Sequence, residues 1–267
     1  MLVELPSNFR ADLILRYLGR DSDSLCERVD GNTITTAAVT MTLMKRRARI
    51  EGDLAIARRL LGLDVDPTPF ERAFPELVRG HQGARLPRTA TVWESLMWAI
   101  VGQQVNLPFA YRLRRVLVEL RGHEMGNGLR AHPTPANIAE LDVTDLTARQ
   151  FSRSKAQYVI DAARLIATGA LPVETFPQRD PAKVETALLA TRGIGPWTAN
   201  YVMMRGCGFP DCVPAGDSAL SASLRTFFAL DHRVDAVETR ALMARFAPWR
   251  SLATYHFWLR FALSARA

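Results

Sequence analysis

Two features near the middle of the second half of the chain have residue types and spacing that suit chemistry. Gly193 and Gly195 flank one isoleucine and precede Pro196, so the backbone can turn sharply between a helix ending near Thr191 and a helix beginning at Pro196. Such a hairpin leaves backbone N–H groups unpaired beside the positive end of the second helix. The pattern predicts an anion site that binds a backbone phosphate without reading base sequence.

The second feature is a single carboxylate, Asp217. It precedes an amphipathic segment and follows Val213-Pro-Ala-Gly216, whose proline and glycine fix its approach. An aspartate in this position is by itself typical of a helix N-cap. Beside the hairpin, we interpret it as a catalytic group that stabilises positive charge on a sugar or orients a water, rather than one that donates a proton.

The composition describes a folded protein with excess positive charge. The chain has 267 residues, 48% of them hydrophobic, which is enough for one large domain or two smaller ones. Its 34 Lys and Arg residues outnumber its 27 Asp and Glu residues, giving a net charge of +7. This excess favours a polyanionic partner, and an arginine-rich proteome is the alternative explanation.

Other protein classes are disfavoured by the cysteine and hydropathy patterns. Cys26, Cys207 and Cys212 are too few and too irregular for a disulfide framework, and they form no zinc motif with the five scattered histidines. The N-terminus lacks a basic start followed by a long apolar run, and no apolar stretch is long enough for a membrane span. We therefore expect neither export nor a membrane span, and a cytoplasmic location.

The pattern of apolar and polar residues changes near residue 66. Residues 1–66 predict a small α+β domain with helices near 8–18 and 53–61 and strands over 32–43 and 46–51. Residues 67–267 predict an all-helical region, with amphipathic spacing over 92–121, 142–149, 154–168, 181–189, 196–207, 218–229, 236–246 and 250–263.

The hairpin Gly193–Ala199, Asp217 and the upstream segment Ala99–Gln104 together resemble the helix-hairpin-helix (HhH-GPD) DNA glycosylase superfamily. The 3-methyladenine DNA glycosylase II branch is the most similar one, and the resemblance covers residues 86–259. It implies a mainly α helix-hairpin-helix glycosylase fold, with a small N-terminal antiparallel-sheet domain and two helical subdomains on either side of a cleft. The expected partner is duplex DNA containing damaged bases, and the expected protein is a monomer associated with a bacterial nucleoid.

The implied activity is excision of alkylated bases of the 3-methyladenine and 7-methylguanine type in base excision repair. A base alkylated on a ring nitrogen carries positive charge and leaves readily, so the enzyme must mainly flip it and stabilise the sugar cation. Asp217 is the residue we expect to do so. Relatives that also cut the backbone carry a lysine nucleophile where this chain has Trp197, which cannot form a Schiff base. We therefore expect a monofunctional enzyme.

The resemblance also assigns residues to the base pocket and to DNA. Trp197, Tyr201 and Trp258 would line the pocket, where their π-faces attract an electron-poor base, and ordinary core packing is the alternative for each. Gln104 stands where relatives insert a residue into the gap left by the flipped nucleotide, while Gln103 is expected to bond nearby backbone. Trp93, Trp98 and Phe109 are assigned to packing. The remaining expected DNA contacts are Arg192, Gly193, Ile194, Gly195 and Thr198.

No cofactor is expected to be required. Carbonyl oxygens of Leu189, Thr191 and Ile194 match those that hold a structural Na⁺ or K⁺ in similar hairpins, and such oxygens suit hard cations. The last cysteine is Cys212, so the four-cysteine iron–sulfur cluster that some relatives carry near the C-terminus is not expected. Two other functions stay open. One is the same fold acting on deaminated or etheno purines, and the other is a non-catalytic DNA-binding protein that uses the hairpin alone.

Overall fold

The computed structural model describes residues 1–264, and it begins with a small sheet. Five antiparallel strands lie in the order β1-β5-β4-β3-β2. Buried and half-buried residues alternate in β4, with Val39, Met41 and Leu43 facing the interior. The strands are β1 Leu2–Glu4, β2 Glu27–Asp30, β3 Thr33–Thr36, β4 Val39–Leu43 and β5 Arg47–Gly52.

The predicted strand over residues 32–43 is in fact two strands. Thr36 causes the break, because its hydroxyl oxygen accepts hydrogen bonds from the N–H groups of Ala38 and Val39 at 3.2 and 3.1 Å and closes a tight turn. Strands β1 and β2 were not predicted, since each is too short to show periodicity. Helices α1 Ala11–Leu18 and α2 Leu54–Leu61 pack on the sheet through Ile14 and Leu61.

The rest of the described chain is helical, which confirms the predicted mainly α fold with a small antiparallel sheet. Short helices at 68–73, 75–78 and 135–139 and a 3₁₀ turn at 173–178 add to the predicted segments. The helices are α3 Thr68–Ala73, α4 Pro75–Val78, α5 Val92–Gly102, α6 Leu107–Arg121, α7 Pro135–Ala139, α8 Val143–Thr147, α9 Arg153–Ala167, α10 Pro181–Leu189, α11 Pro196–Val202 with a π-helical continuation Met203–Cys207, α12 Ser218–Phe227, α13 Ala236–Met243 with a 3₁₀ turn Ala244–Phe246, and α14 Arg250–Ser264.

The amphipathic stretch 92–121 does not form one helix. Pro108 has no N–H for an intrahelical hydrogen bond and would break a continuous helix. Asn106 instead caps α6 by accepting a hydrogen bond from the N–H of Phe109 at 2.9 Å. Between the helices Gln104 adopts a left-handed conformation, with φ of 55°. The break leaves Gln104 between the two helices, where it is exposed to solvent.

The helical interior consists of two large apolar clusters. One contains residues of α5, α6, α9 and α11, including Leu96 and Ile160, and the other contains residues of α3, α12 and α14, including Phe70 and Phe257. Trp258 of α14 is half-buried and packs against both, and also against a small third cluster that includes Leu13 of α1. The junction of the helical units and α1 therefore lies at Trp258.

Candidate active site and DNA-binding hairpin

A tight turn joins α10 to α11. Gly193 has a φ of 84°, and a Cβ atom at that position would lie 2.3 Å from the ring of Tyr158. Gly195 caps α11, and a Cβ atom there would meet nothing within 4 Å. The first glycine is thus required by the fold, whereas the second leaves open space in front of the helix. Pro196 occupies the first helical position, where a backbone N–H would have no intrahelical partner, so its missing N–H costs no hydrogen bond.

Gln103 connects this turn to α5. Its side-chain amide donates hydrogen bonds to the carbonyl oxygen of Gly193 and to the hydroxyl of Thr198, both at 2.9 Å. The structural role predicted for Gln103 is confirmed. The Thr198 side chain is only 2% exposed and is engaged by Gln103, so only its backbone can face DNA. Ile194 is also buried, while Arg192 and Gly195 are exposed.

The loop that carries Gln104 is held by a buried lysine. The Lys155 ammonium donates to the carbonyl oxygens of Ile100, Val101 and Gln103 at 3.1, 2.7 and 2.8 Å. Burial lowers the pKa of Lys155 to about 8. Among the described residues, the Ile100 carbonyl also accepts from the N–H of Gln103 at 3.3 Å, whereas Lys155 is the donor to the carbonyls of Val101 and Gln103, so it fixes the residues that precede Gln104.

Asp217 accepts three hydrogen bonds. Its Oδ1 atom caps α12 through the N–H of Leu220 at 2.9 Å, as an N-cap should. The same oxygen accepts from the indole nitrogen of Trp258 at 3.0 Å, and Oδ2 accepts from the indole nitrogen of Trp197 at 3.2 Å. The carboxylate is half-buried and therefore still reachable from solvent. The N-cap role and the contact with two aromatic side chains coexist in one residue.

The structure brings the three expected pocket aromatics together. The rings of Trp197 and Tyr201 stack with centroids 5.5 Å apart, and those of Tyr201 and Trp258 lie 6.0 Å apart. Tyr201 is 5% exposed, and burial raises the pKa of its hydroxyl above the usual range. Two of the three groups that donate hydrogen bonds to Asp217 thus belong to a wall of aromatic rings, which consists of Trp197, Tyr201 and Trp258.

Other aromatic residues near this wall were missed in the sequence. Trp98 packs on the core as expected, but its ring also lies 5.2 Å from that of Tyr111, and Arg20 lies over both. Arg20 and Tyr17 come from α1 and the loop after it. No signal in the sequence links these positions, because they are far apart along the chain. Trp93 does serve packing, with its indole nitrogen donating to Pro133 O at 2.9 Å.

The backbone carbonyls proposed to hold a cation lie at the end of α10 and in the turn. The Thr191 carbonyl accepts from the N–H of Ile194 at 3.1 Å, which leaves it a second lone pair. Leu189 ends α10, where the last carbonyls lack intrahelical donors. This donor set fits a monovalent cation of low charge density. Such an ion would support the turn and would take no part in bond breaking.

One cluster of ligand-type side chains was not predicted. Ligand atoms of Cys26, Glu27 and His132 lie within 4.8 Å of one another. Arg114 already occupies this cluster, because its guanidinium pairs with both oxygens of Glu27 and bonds Nε2 of His132 at 3.3 Å. Burial lowers the pKa of His132 to about 3 and raises that of the Cys26 thiol. We therefore interpret the cluster as a buried ion pair that joins β2 to α6.

Within residues 1–264, no helix is both long and apolar enough to cross a membrane.

Comparisons with known proteins agree on one family. A family model described as HhH-GPD superfamily base excision DNA repair protein matches residues 97–248. A Bacillus subtilis protein named DNA-3-methyladenine glycosylase is 30% identical over 290 residues, covering 97% of this chain and 96% of its own.

Two solved structures share the fold. That of a 3-methyladenine DNA-glycosylase from Archaeoglobus fulgidus has a TM-score of 0.85 and 20% identity, with 100% of both chains covered. That of a Clostridium acetobutylicum 8-oxoguanine glycosylase/lyase in complex with double-stranded DNA has a TM-score of 0.79 and 16% identity, covering 100% of this chain and 99% of its own.

Proposed function

Since this chain belongs to the HhH-GPD superfamily of base excision DNA repair proteins, we propose that it is a monofunctional DNA glycosylase that excises alkylated bases from duplex DNA. The observation that carries this proposal is Asp217, a solvent-accessible carboxylate bonded to the indole nitrogens of Trp197 and Trp258. A protein that used only the hairpin to bind DNA would need neither the carboxylate nor its aromatic partners. Names of relatives that act on 3-methyladenine support the choice of alkylated bases.

DNA binding would begin at the hairpin. The first-turn N–H groups of α11 and the open face of Gly195 suit a backbone phosphate, and Arg192 adds an exposed positive charge. Gly193 and Ile194 shape the turn, and Thr198 contributes a backbone N–H. A structural Na⁺ or K⁺ on the carbonyls of the turn would reinforce this contact. Exposed Gln104 would fill the gap in the duplex that the flipped nucleotide leaves.

Excision would follow from the charge of the lesion. A purine methylated at N3 or N7 is already cationic, and the faces of Trp197, Tyr201 and Trp258 attract such a ring. As the bond from C1′ to the base nitrogen breaks, positive charge develops on the sugar, and the ionised Asp217 stabilises it. Water adds its hydroxyl to C1′ and releases its proton to solvent. The products are the free base and an abasic site.

Trp197 supports the proposal that backbone cleavage is absent. The side chain at this position donates to Asp217 and has no amine that could attack C1′. Lys155 does have an amine with a lowered pKa, but it is buried and donates to three carbonyls, so it is not available as a substitute. The hairpin and the carboxylate belong to one chain, which supports action as a monomer.

The test is base release followed by chromatography. Methylated duplex DNA is incubated with the protein and the supernatant is analysed for free 3-methyladenine and 7-methylguanine. We expect release of free base with intact strands until alkali is added. A parallel reaction with borohydride, using a glycosylase/lyase as positive control, should trap no covalent complex with this chain. Absence of free base would overturn the glycosylase proposal, and a trapped complex would overturn the monofunctional one.

A further inference from the structure

Arg20, in the loop after α1, has an unusual position. Its guanidinium carbon lies 3.9 Å from the ring centroid of Tyr17, 5.7 Å from that of Trp98 and 6.0 Å from that of Tyr111. The side chain is exposed, and within residues 1–264 the guanidinium forms no hydrogen bond or ion pair with the protein. Its five N–H donors are therefore held over aromatic rings and are free to bind a ligand.

The ring of Tyr17, which Arg20 covers, is held in place by residues of the protein interior. Tyr17 contacts Tyr255 edge to face, with centroids 6.0 Å apart. Arg205, which is 3% exposed, lies 4.7 Å from the Tyr17 ring centroid and 5.9 Å from that of Tyr201. Because Tyr17 packs between the C-terminal helix and this buried arginine, the ring that carries Arg20 belongs to the rigid interior and not to a loose loop.

The same cluster reaches the Asp217 site through Tyr201. Tyr201 stacks on Trp197, one of the two indoles bonded to Asp217. The charge of Arg20 opposes the rise in the pKa of Tyr201 that burial causes, whereas the charge of Asp217 adds to it. Arg20, which follows α1 of the N-terminal unit, and Asp217, which begins α12, therefore both influence the hydroxyl of Tyr201.

We propose that Arg20 selects the base that is excised, by donating hydrogen bonds to a carbonyl oxygen at the 6-position of a flipped purine. This inference rests on the proposed glycosylase function and names its preferred substrates. Guanidinium groups are donors only, so they pair with the O6 atom of guanine-type and hypoxanthine bases. The 6-amino group of an adenine-type base is itself a donor and would leave both partners unpaired.

Charge adds to this selection. 3-Methyladenine carries a positive charge and a 6-amino group, so Arg20 opposes its binding twice. 7-Methylguanine is also cationic but offers O6, and neutral hypoxanthine offers O6 without repulsion. Arg20 thus favours hypoxanthine over 7-methylguanine and 7-methylguanine over 3-methyladenine. Loss of one such hydrogen-bonded pair is expected to change the ratio between bases roughly tenfold or more.

The test compares bases released in one reaction. Methylated duplex DNA yields 7-methylguanine and 3-methyladenine together, so their ratio of initial release rates is independent of active enzyme concentration. Arg20→Met keeps an apolar stem against Tyr17 but has no donors. We expect it to lower the ratio of 7-methylguanine to 3-methyladenine roughly tenfold and to slow release of hypoxanthine from an inosine-containing duplex. Arg16→Met, at an exposed arginine of the preceding helix α1, is the matched control and should leave the ratio unchanged.

Arg20→Gln supplies a second readout. Its amide offers an acceptor as well as donors, so release of 3-methyladenine should rise relative to wild type. An unchanged ratio in both variants, or an equal loss of all three bases, would overturn the role of Arg20 while base excision itself stands. If wild-type protein releases no base at all, the proposed function fails instead.

Discussion

The indole nitrogen of Trp258 donates a hydrogen bond to Oδ1 of Asp217 across 3.0 Å. Trp258 packs against all three apolar clusters that meet at this point, so its ring has little freedom. The C-terminal helix therefore positions the carboxylate that begins α12. A hydrogen bond to a charged group contributes more than one between neutral groups, and here it also fixes the direction of the acceptor oxygen.

Replacing Trp258 with phenylalanine should slow base release by about 10- to 100-fold, since a hydrogen bond to a charged group contributes about 1.5–3 kcal/mol. Phenylalanine keeps a ring in the cluster but cannot donate to Asp217. Single-turnover release of 7-methylguanine measures the effect. In a double-mutant cycle with Asp217→Asn, the Trp258→Phe change should lose most of its effect. Two fully additive effects would show that Trp258 acts independently of Asp217.

The two hairpin glycines should respond differently to alanine. Gly193→Ala places a Cβ against the Tyr158 ring at a φ of 84°, so we expect a loss of at least about 1–3 kcal/mol in the free energy of unfolding. Gly195→Ala meets open space and should leave the free energy of unfolding nearly unchanged while weakening DNA binding, because the added methyl group keeps a phosphate away. Urea unfolding and fluorescence anisotropy with a labelled duplex distinguish the two effects. Equal destabilisation by both changes would contradict this assignment.

Lys155→Met should impair recognition of the gap in DNA. The variant leaves the carbonyls of Val101 and Gln103 without their donor, which costs about 1–3 kcal/mol of stability and loosens the segment before Gln104. We expect affinity for a duplex with an abasic site to fall more than affinity for undamaged duplex. Lys183→Met, at an exposed lysine on α10, is the control. A uniform fall for both duplexes would argue that Lys155 only stabilises the fold.

Glu94 should make stability depend on pH. Burial raises the pKa of this carboxyl to about 7 in the folded protein, from 4.5 in its ordinary state. The folded state therefore binds the extra proton between these pH values, so stability falls as pH rises from about 4.5 to 7. Glu94→Gln keeps the polar contact at the start of α5 and removes the titration. The difference in melting temperature between wild type and variant should change with pH below 7 and level off above it. A difference that is constant from pH 5 to 8 would rule out this titration.

Local patterns in the sequence predicted the hairpin and the cap at Asp217, and the resemblance to the glycosylase family singled out Trp197, Tyr201 and Trp258, whose rings the structure brings together. Each depends on residues that are neighbours along the chain or match a short motif. The break after Gly102 was missed because the apolar spacing continues through it, and only Pro108 and the Asn106 cap show why a single helix cannot form. Helical periodicity alone does not reveal a left-handed residue such as Gln104.

The contribution of the N-terminal unit was not predictable from local patterns. Arg20, Trp98 and Tyr111 meet only because α1 packs beside the helical clusters, and their chain separation hides the contact. The buried histidines show the same limit. Neither ring nitrogen of His256 has a hydrogen-bond partner within the described residues, which its position in the sequence does not indicate. Burial lowers the pKa of His256 to about 3, so the ring stays neutral in its aromatic surroundings.

The most direct test of the account is Asp217→Asn. Asparagine is as good an N-cap as aspartate, so the N–H of Leu220 keeps an acceptor and α12 should remain intact. The negative charge is lost, and with it the acceptor for the indole N–H of Trp197, because the amide nitrogen of asparagine only donates. We predict a single-turnover rate of 7-methylguanine release that is roughly 100-fold lower or more, with affinity for abasic duplex within a few-fold of wild type. A variant that releases base at the wild-type rate would show that Asp217 is a helix cap and not the catalytic carboxylate.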